Sequence, residues 1–188
     1  SAMTRDVPPA PVKLTAGHGE PRRVTLSWES NAAPDDEIKG FYLYRGETGQ
    51  EKRVRIAELS ADKRSYRDAE EPLKDAASYS YMIVAYNAGG AVSPQSAGAT
   101  AVTKAVPKTP QGVTAASGEP RRVTVRWQKN PEPDIAEYII FRQHGDADFK
   151  QLKRTQETLL VDTELKDGAT YQYRVQALHR DGLESGQS

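Results

Sequence analysis

A chain of 188 residues that balances 26 lysines and arginines against 26 aspartates and glutamates has no charge surplus with which to hold a nucleic acid or an anionic membrane as its main partner. It has no cysteine, which excludes disulfides and thiolate metal sites. No apolar run reaches the roughly 18 residues of a membrane span, and no charged start precedes an apolar run as in a signal peptide. Direct membrane insertion is therefore not expected, and Ser1, Ala2 and Met3 read as a cloning remnant.

The chain writes one phrase twice. "GEPRRVTLSW" at Gly19–Trp28 returns as "GEPRRVTVRW" at Gly118–Trp127, 99 positions on. That period is a whole domain, far beyond the roughly 20–50 residues of a solenoid repeat. "IKGFYLYR" from Ile38 answers "IAEYIIFR" from Ile135, and "LKDAASYSYMIVAY" from Leu73 answers "LKDGATYQYRVQAL" from Leu165. The spacing shrinks only between these blocks, where Pro, Gly, Asp and Lys gather, so the blocks are structural elements and the gaps surface loops.

In chain order, Pro8 and Pro11 open a first strand over 12–16, where a ladder donor can be spared. Strands follow over 23–29, 40–45, 53–59, 65–68, 78–86 and 97–104. Val24, Leu26 and Trp28 recur at every second position, as do Phe41 and Leu43 and then Tyr79, Tyr81, Ile83 and Ala85, with mostly polar or small residues between them in several of these runs. A period of two marks half-buried strands. Short strands rich in β-branched and aromatic residues, separated by turn signals, predict an all-β chain of antiparallel sandwiches. Two domains are expected, 8–106 and 107–188. Pro107 and Pro110 repeat Pro8 and Pro11 and stiffen a short linker, so the sandwiches should form a rod. "GLESGQS" at the end matches "GAVSPQS" ending at Ser96, so the second domain is expected to lack its seventh strand. The edge of its sixth strand would then be open to self-association.

A Trp ending the second strand, the "GFYLYR" third strand and the "L-x5-Y-x-Y-x-I-x-A" sixth strand together resemble fibronectin type III domains, over nearly all of both halves. The resemblance implies two consecutive seven-stranded antiparallel sandwiches. It implies a structural core containing Trp28, Tyr79, Trp127 and Tyr171, with Tyr79 and Tyr171 as tyrosine corners following Leu73 and Leu165. Burying most of a Trp contributes roughly 4–6 kcal/mol of transfer energy, so losing either Trp should unfold its domain. The resemblance further implies an extracytoplasmic setting: a bacterial surface, lipoprotein or secreted protein.

Chemistry is sparse. His18, His144 and His179 fall in different loops, so no metal site is expected from them, and no nucleophile elbow, HExxH or phosphate loop occurs. Acidic pairs such as Asp35 with Asp36 and Glu70 with Glu71 read as solvated faces. "RGE" at Arg45 and "RDG" at Arg180 are not Arg-Gly-Asp, and the "DG" reads as a turn. No catalytic residue, cofactor or metal is predicted. Arg22, Arg23, Arg121 and Arg122 are expected to enter their strands, where they could meet a polyanion unless Glu20 and Glu119 offset them. If Phe41 and Leu43 point inward, Tyr42, Tyr44, Met82, Val84 and Tyr86 point outward as an apolar, aromatic strip, the candidate face for an unidentified protein partner. The same positions of copy two, Ile139 and Phe141 beside Arg174, Gln176 and Leu178, are more polar. The functions consistent with these residues are a non-catalytic spacer and protein-interaction module, a surface adhesin for host matrix or glycan, or an accessory region of a carbohydrate-active enzyme.

Overall fold

The computed structural model describes residues 7–33, 37–50 and 52–188. Asp35, Asp36 and Ser1 to Met3 lie outside the described residues. The chain divides into two units, Ser1–Ala105 and Val106–Ser188, and no α-helix occurs among the described residues.

Unit 1 holds β1 (Val12–Ala16), β2 (Val24–Glu29), β3 (Ile38–Glu47), β4 (Val54–Ser60), β5 (Ser65–Asp68), β6 (Ser78–Asn87) and β7 (Ala99–Val102). They form an antiparallel sheet β1-β2-β5 and another in the order β4-β3-β6-β7. Unit 2 repeats the plan with β8 (Thr114–Glu119), β9 (Arg122–Arg126), β10 (Ile135–His144), β11 (Lys150–Thr155), β12 (Leu159–Asp162) and β13 (Tyr171–His179). Its sheets run β12-β9-β8 and β11-β10-β13.

Alternation along β2 sends Val24, Leu26 and Trp28 inward and leaves their neighbours exposed. They meet Phe41, Leu43, Leu73, Tyr79, Tyr81, Ile83 and Ala85 in one core. Unit 2 packs Val125, Trp127, Tyr138, Ile140, Leu160, Val175 and Ala177 in the same manner. Each indole meets an aromatic ring edge-on, Trp28 with Phe41 at 5.7 Å and Trp127 with Tyr138 at 5.5 Å, the preferred quadrupole geometry. Tyr79 Oη accepts the Lys74 N–H and Tyr171 Oη accepts the Lys166 N–H, both at 3.0 Å. Tyr79 is buried, but Tyr171 is only half-buried and lies outside the unit 2 core.

A charged network sits between the sheets of each unit. Arg45 Nη1 donates to both oxygens of Asp68 at 2.8 and 3.0 Å, and Tyr81 Oη donates to Asp68 at 2.8 Å. In unit 2, Arg142, Asp162 and Tyr173 make the same bonds at 3.1, 3.0 and 2.8 Å. Burial first, then the bond to the carboxylate, pushes both phenols well above their ordinary range. The network ties β3 to β5 and β6, and its repetition explains why "R…D…Y" survives in both copies while the loops differ.

The arginine pairs do not all enter strands. Arg22 and Arg121 occupy the turn, at φ 51° and 54°, the left-handed region that costs a β-carbon energy. Arg22 forks onto Asp75 at 2.9–3.2 Å and Arg121 onto Asp167 at 2.7–2.9 Å. Arg23 pairs with Glu20 and Arg122 with Glu119. With all four guanidiniums matched to carboxylates of the same unit, the polyanion reading loses its basis. Burial works to raise the Glu20 carboxyl, but hydrogen bonds from the Thr25 N–H, the Thr25 hydroxyl and Arg23 outweigh it and hold Glu20 below the usual range.

Beyond β13 the backbone stays close. Ala177 N–H and Val175 N–H donate to the hydroxyls of Ser185 and Ser188, and those residues' own N–H groups return to the Ala177 and Val175 carbonyls. Ser93 and Ser96 do the same along β6 at Ala85 and Ile83. The sixth strand of unit 2 is therefore less open than its sequence suggests. Only its start, where Tyr79 and Tyr81 of unit 1 pair with Ala101 and Ala99, has no paired strand on that side among the described residues.

Candidate functional site

The outer face of the β4-β3-β6 sheet in unit 1 gathers aromatic and charged groups. Register sets Gly40 opposite Tyr86, Tyr42 opposite Val84 and Tyr44 opposite Met82, with Glu58 and Arg55 across from Tyr42 and Tyr44 on β4. The Tyr86 ring lies over Gly40, where a β-carbon would stand 2.8 Å from the ring and collide with the Leu59 carbonyl. Glycine is required there by close approach. The flattened Tyr86 then stacks on Tyr42 at 4.3 Å and 7°. The Arg55 guanidinium lies 4.8 Å from the Tyr42 ring centre, and Tyr86 Oη donates to Glu58 at 2.9 Å. Burial first, and then this bond, raises the Tyr86 phenol above its ordinary value.

The strip is narrower than alternation implies. Tyr42, Tyr44 and Met82 are half-buried, whereas Val84 and Tyr86 are only 4% and 8% exposed. Alternation fixes which face a residue takes, but neighbours decide whether it is covered. What remains is a platform of Tyr42, Tyr44 and Met82 bordered by the exposed Arg55 and Glu58. Arg55 and Glu58 were not singled out in the sequence. The signal that could have found them is their place on β4 across from the two tyrosines.

Unit 2 has no such platform. Its register places Glu137 opposite Leu178, Ile139 opposite Gln176 and Phe141 opposite Arg174, with Arg154 and Gln151 on β11. Glu137 occupies the Gly40 position and pairs with Arg154 at 2.8 Å. A leucine in place of Tyr86 leaves room for that side chain.

The three histidines stay apart. His18 Nδ1 accepts the Val102 N–H at 3.4 Å, and His144 stacks on Tyr171. His179, at the end of β13, is buried.

Residues 108–188 match the family model of the fibronectin type III domain. Unit 2 is a fibronectin type III domain. Unit 1 has the same sandwich plan and adds β7 to the order β4-β3-β6. Likeness to known proteins extends across both fibronectin-like units. The chain is 27% identical over 179 residues to exoglucanase B of Cellulomonas fimi, covering 90% of this chain and 15% of that protein. It is 28% identical over 184 residues to human neogenin, covering 93% of this chain and 12% of that protein. It thus spans about a seventh or less of the length of these relatives. Among solved structures, the chicken CNTN1 FN1–FN3 domains align with 97% of this chain and 66% of their own at 19% identity, with a TM-score of 0.48. Among the described residues, no helix is long and apolar enough to cross a membrane.

Proposed function

We propose that this chain is a non-catalytic spacer and interaction module of a longer extracytoplasmic protein, and that unit 1 engages a protein partner through Tyr42, Tyr44, Met82, Arg55 and Glu58. The observation that carries this reading is the divergence of two otherwise matching units. The core tryptophans and the Arg–Asp–Tyr networks repeat. The stacked tyrosines with their bordering charges occur in one copy alone. Aromatic groups and arginine are enriched where proteins meet, and Arg55 and Glu58 offer partner-facing charge of both signs.

The test is a photo-reactive phenylalanine analogue placed at Tyr44, and at Phe141 as the control, in the full-length protein in its own cells. A defined protein adduct from position 44 that is absent from position 141, and lost when Tyr42 is replaced by Ser, supports the reading. Equal adducts from both positions, or none from 44, overturn it.

The likeness to exoglucanase B favours a second reading, in which the module is an accessory region of a carbohydrate-active enzyme. A hydrolase domain encoded beside this region supports that role, and deleting the two units should then alter activity on insoluble polysaccharide more than on a soluble one.

A further inference from the structure

The turn after the sixth strand of each unit, β6 in unit 1 and β13 in unit 2, is built alike in both, but its side chains differ. In unit 1, Asn87 N–H donates to the Ala91 carbonyl, Gly90 N–H to the Asn87 carbonyl and Ala88 N–H to the Glu37 carbonyl. In unit 2, His179, Gly182 and Arg180 make the same three bonds to Leu183, His179 and Asp134. Asn87 satisfies its own turn, its Oδ1 accepting the N–H groups of Gly89 and Ala91 at 3.1 and 3.0 Å. Unit 2 has His179 in place of Asn87, Asp181 in place of Gly89 and Asp134 in place of Glu37.

His179 is 3% exposed, and neither ring nitrogen makes a hydrogen bond. Buried imidazoles normally find partners, and leaving one without is costly. Its Nε2 instead lies 3.3 Å from Asp134 Oδ1, and one ligand atom each from Asp134, His179 and Asp181 falls within 4.8 Å of the others. Two ligands bound at roughly 2.0–2.2 Å to a tetrahedral ion stand about 3.3–3.5 Å apart. The His179–Asp134 separation fits two ligands sharing a metal, as it also fits an ion pair to a protonated imidazole; the third carboxylate, Asp181, within 4.8 Å favours the metal.

We propose that Asp134, His179 and Asp181 form a binding site for a zinc-like divalent transition-metal ion. One imidazole with two carboxylates suits such an ion, whereas calcium and magnesium prefer all-oxygen shells. The ligands are pre-positioned. The Arg180 N–H bond to the Asp134 carbonyl at 3.0 Å locks the approach to β10 against the turn after β13, and Leu183 N–H donates to Asp181 Oδ1 at 3.3 Å. Supporting bonds of this kind hold ligating carboxylates in place. Asp181 is exposed and the Asp134 side chain is 33% exposed, so the fourth coordination position opens to water or to a partner's side chain. The bound ion staples two segments of unit 2 that are distant in sequence, whereas the Asn87 side chain in unit 1 braces its own turn.

The test uses the whole chain after EDTA treatment and dialysis, titrated with zinc chloride by calorimetry and melted with the Trp127 indole as reporter. The expected result is one zinc ion per chain. The melting temperature of unit 2 should rise by about 11–22 °C at a free zinc concentration of about a hundred times Kd, with unit 1 unmoved. His179→Asn, which installs the residue unit 1 uses, abolishes binding. Asp181→Ser, at an exposed turn position, weakens binding at least about tenfold and keeps the test valid should His179→Asn fail to fold. Replacing His18 and His144 with Gln leaves binding unchanged. Zinc binding that survives His179→Asn, disappears with His18 and His144, or is absent from the parent chain overturns the site. A shift of equal size from millimolar calcium overturns its assigned chemistry.

Discussion

Removing Asp68 tests the physical basis of unit 1 most directly. Asp68→Ala deletes the acceptor of two bonds from Arg45 and one from Tyr81. It strands a guanidinium whose side chain is 17% exposed beside a fully buried phenol. The remaining carboxylate near Arg45 is Glu71, 3.9 Å away and almost wholly in solvent, which compensates little. Removing one partner of a buried pair costs about 3–5 kcal/mol. Incomplete burial of Arg45 sets the low end of that range, and the orphaned Tyr81 hydroxyl adds about 1–2 kcal/mol. A loss of about 4–5 kcal/mol takes between about a quarter and all of the stability of a small domain, about 5–15 kcal/mol in total. Because each unit contains a single Trp, two indole resonances in ¹⁵N-labelled protein follow the units separately through a urea titration. At about 1–3 kcal/mol per molar urea, the Trp28 midpoint should fall by about 1.3–5 M while the Trp127 midpoint stays. Tyr81→Phe should fall less, by about 1.5–3 kcal/mol. A Trp28 midpoint within about 0.3 M of the parent, worth less than 1 kcal/mol, would refute the claim that the network holds the sheets together.

Gly40→Ala should destabilise unit 1 by about 2–3 kcal/mol through overpacking against Tyr86 and Leu59, whereas Glu137→Ala at the matching position of unit 2 removes only a surface pair and costs less than about 1 kcal/mol; paired urea titrations measure both. The raised phenols of Tyr81 and Tyr173 stay protonated in the fold after their unfolded counterparts ionise near pH 10. Their contribution is thus complete below that pH and is lost as pH climbs through the folded values. Alkaline titrations of Tyr81→Phe and Tyr173→Phe should show a shallower loss in the affected unit. Glu20 behaves oppositely: its lowered carboxyl stabilises unit 1 above the unfolded value of about 4.3 and loses that contribution as pH falls through the folded one. Glu20→Gln should remove part of the acid-side slope seen by the Trp28 resonance.

Strand placement was legible because alternation, punctuated by Pro and Gly, carries face and extent together. The predicted strand over 65–68 coincides with β5, and those over 12–16 and 78–86 meet β1 and β6 to within a residue. The arginine turns were less legible. Counting back from Val24 put Arg22 in β2, yet reversing the chain takes one more residue with positive φ, and only the reach to Asp75 across the fold reveals why an arginine serves there. Burial on the outer face depended on Gly40, whose missing side chain lets Tyr86 lie flat, a contact between positions 46 apart. The His179 cluster is illegible from the spacing of the histidines. Its other two members are aspartates, one from the adjacent turn and one 45 positions upstream.

The one-to-one register between the outer faces of β3 with β4 and β10 with β11 has a practical corollary. Since Glu137, Ile139, Phe141, Gln151, Arg154, Arg174 and Leu178 stand where Gly40, Tyr42, Tyr44, Arg55, Glu58, Met82 and Tyr86 stand, the aromatic patch can be transplanted into unit 2 by seven exchanges. A chain so edited would carry the stacked tyrosines and their bordering charges twice, so a partner that engages them would be held at two sites by the edited chain and at one by the parent.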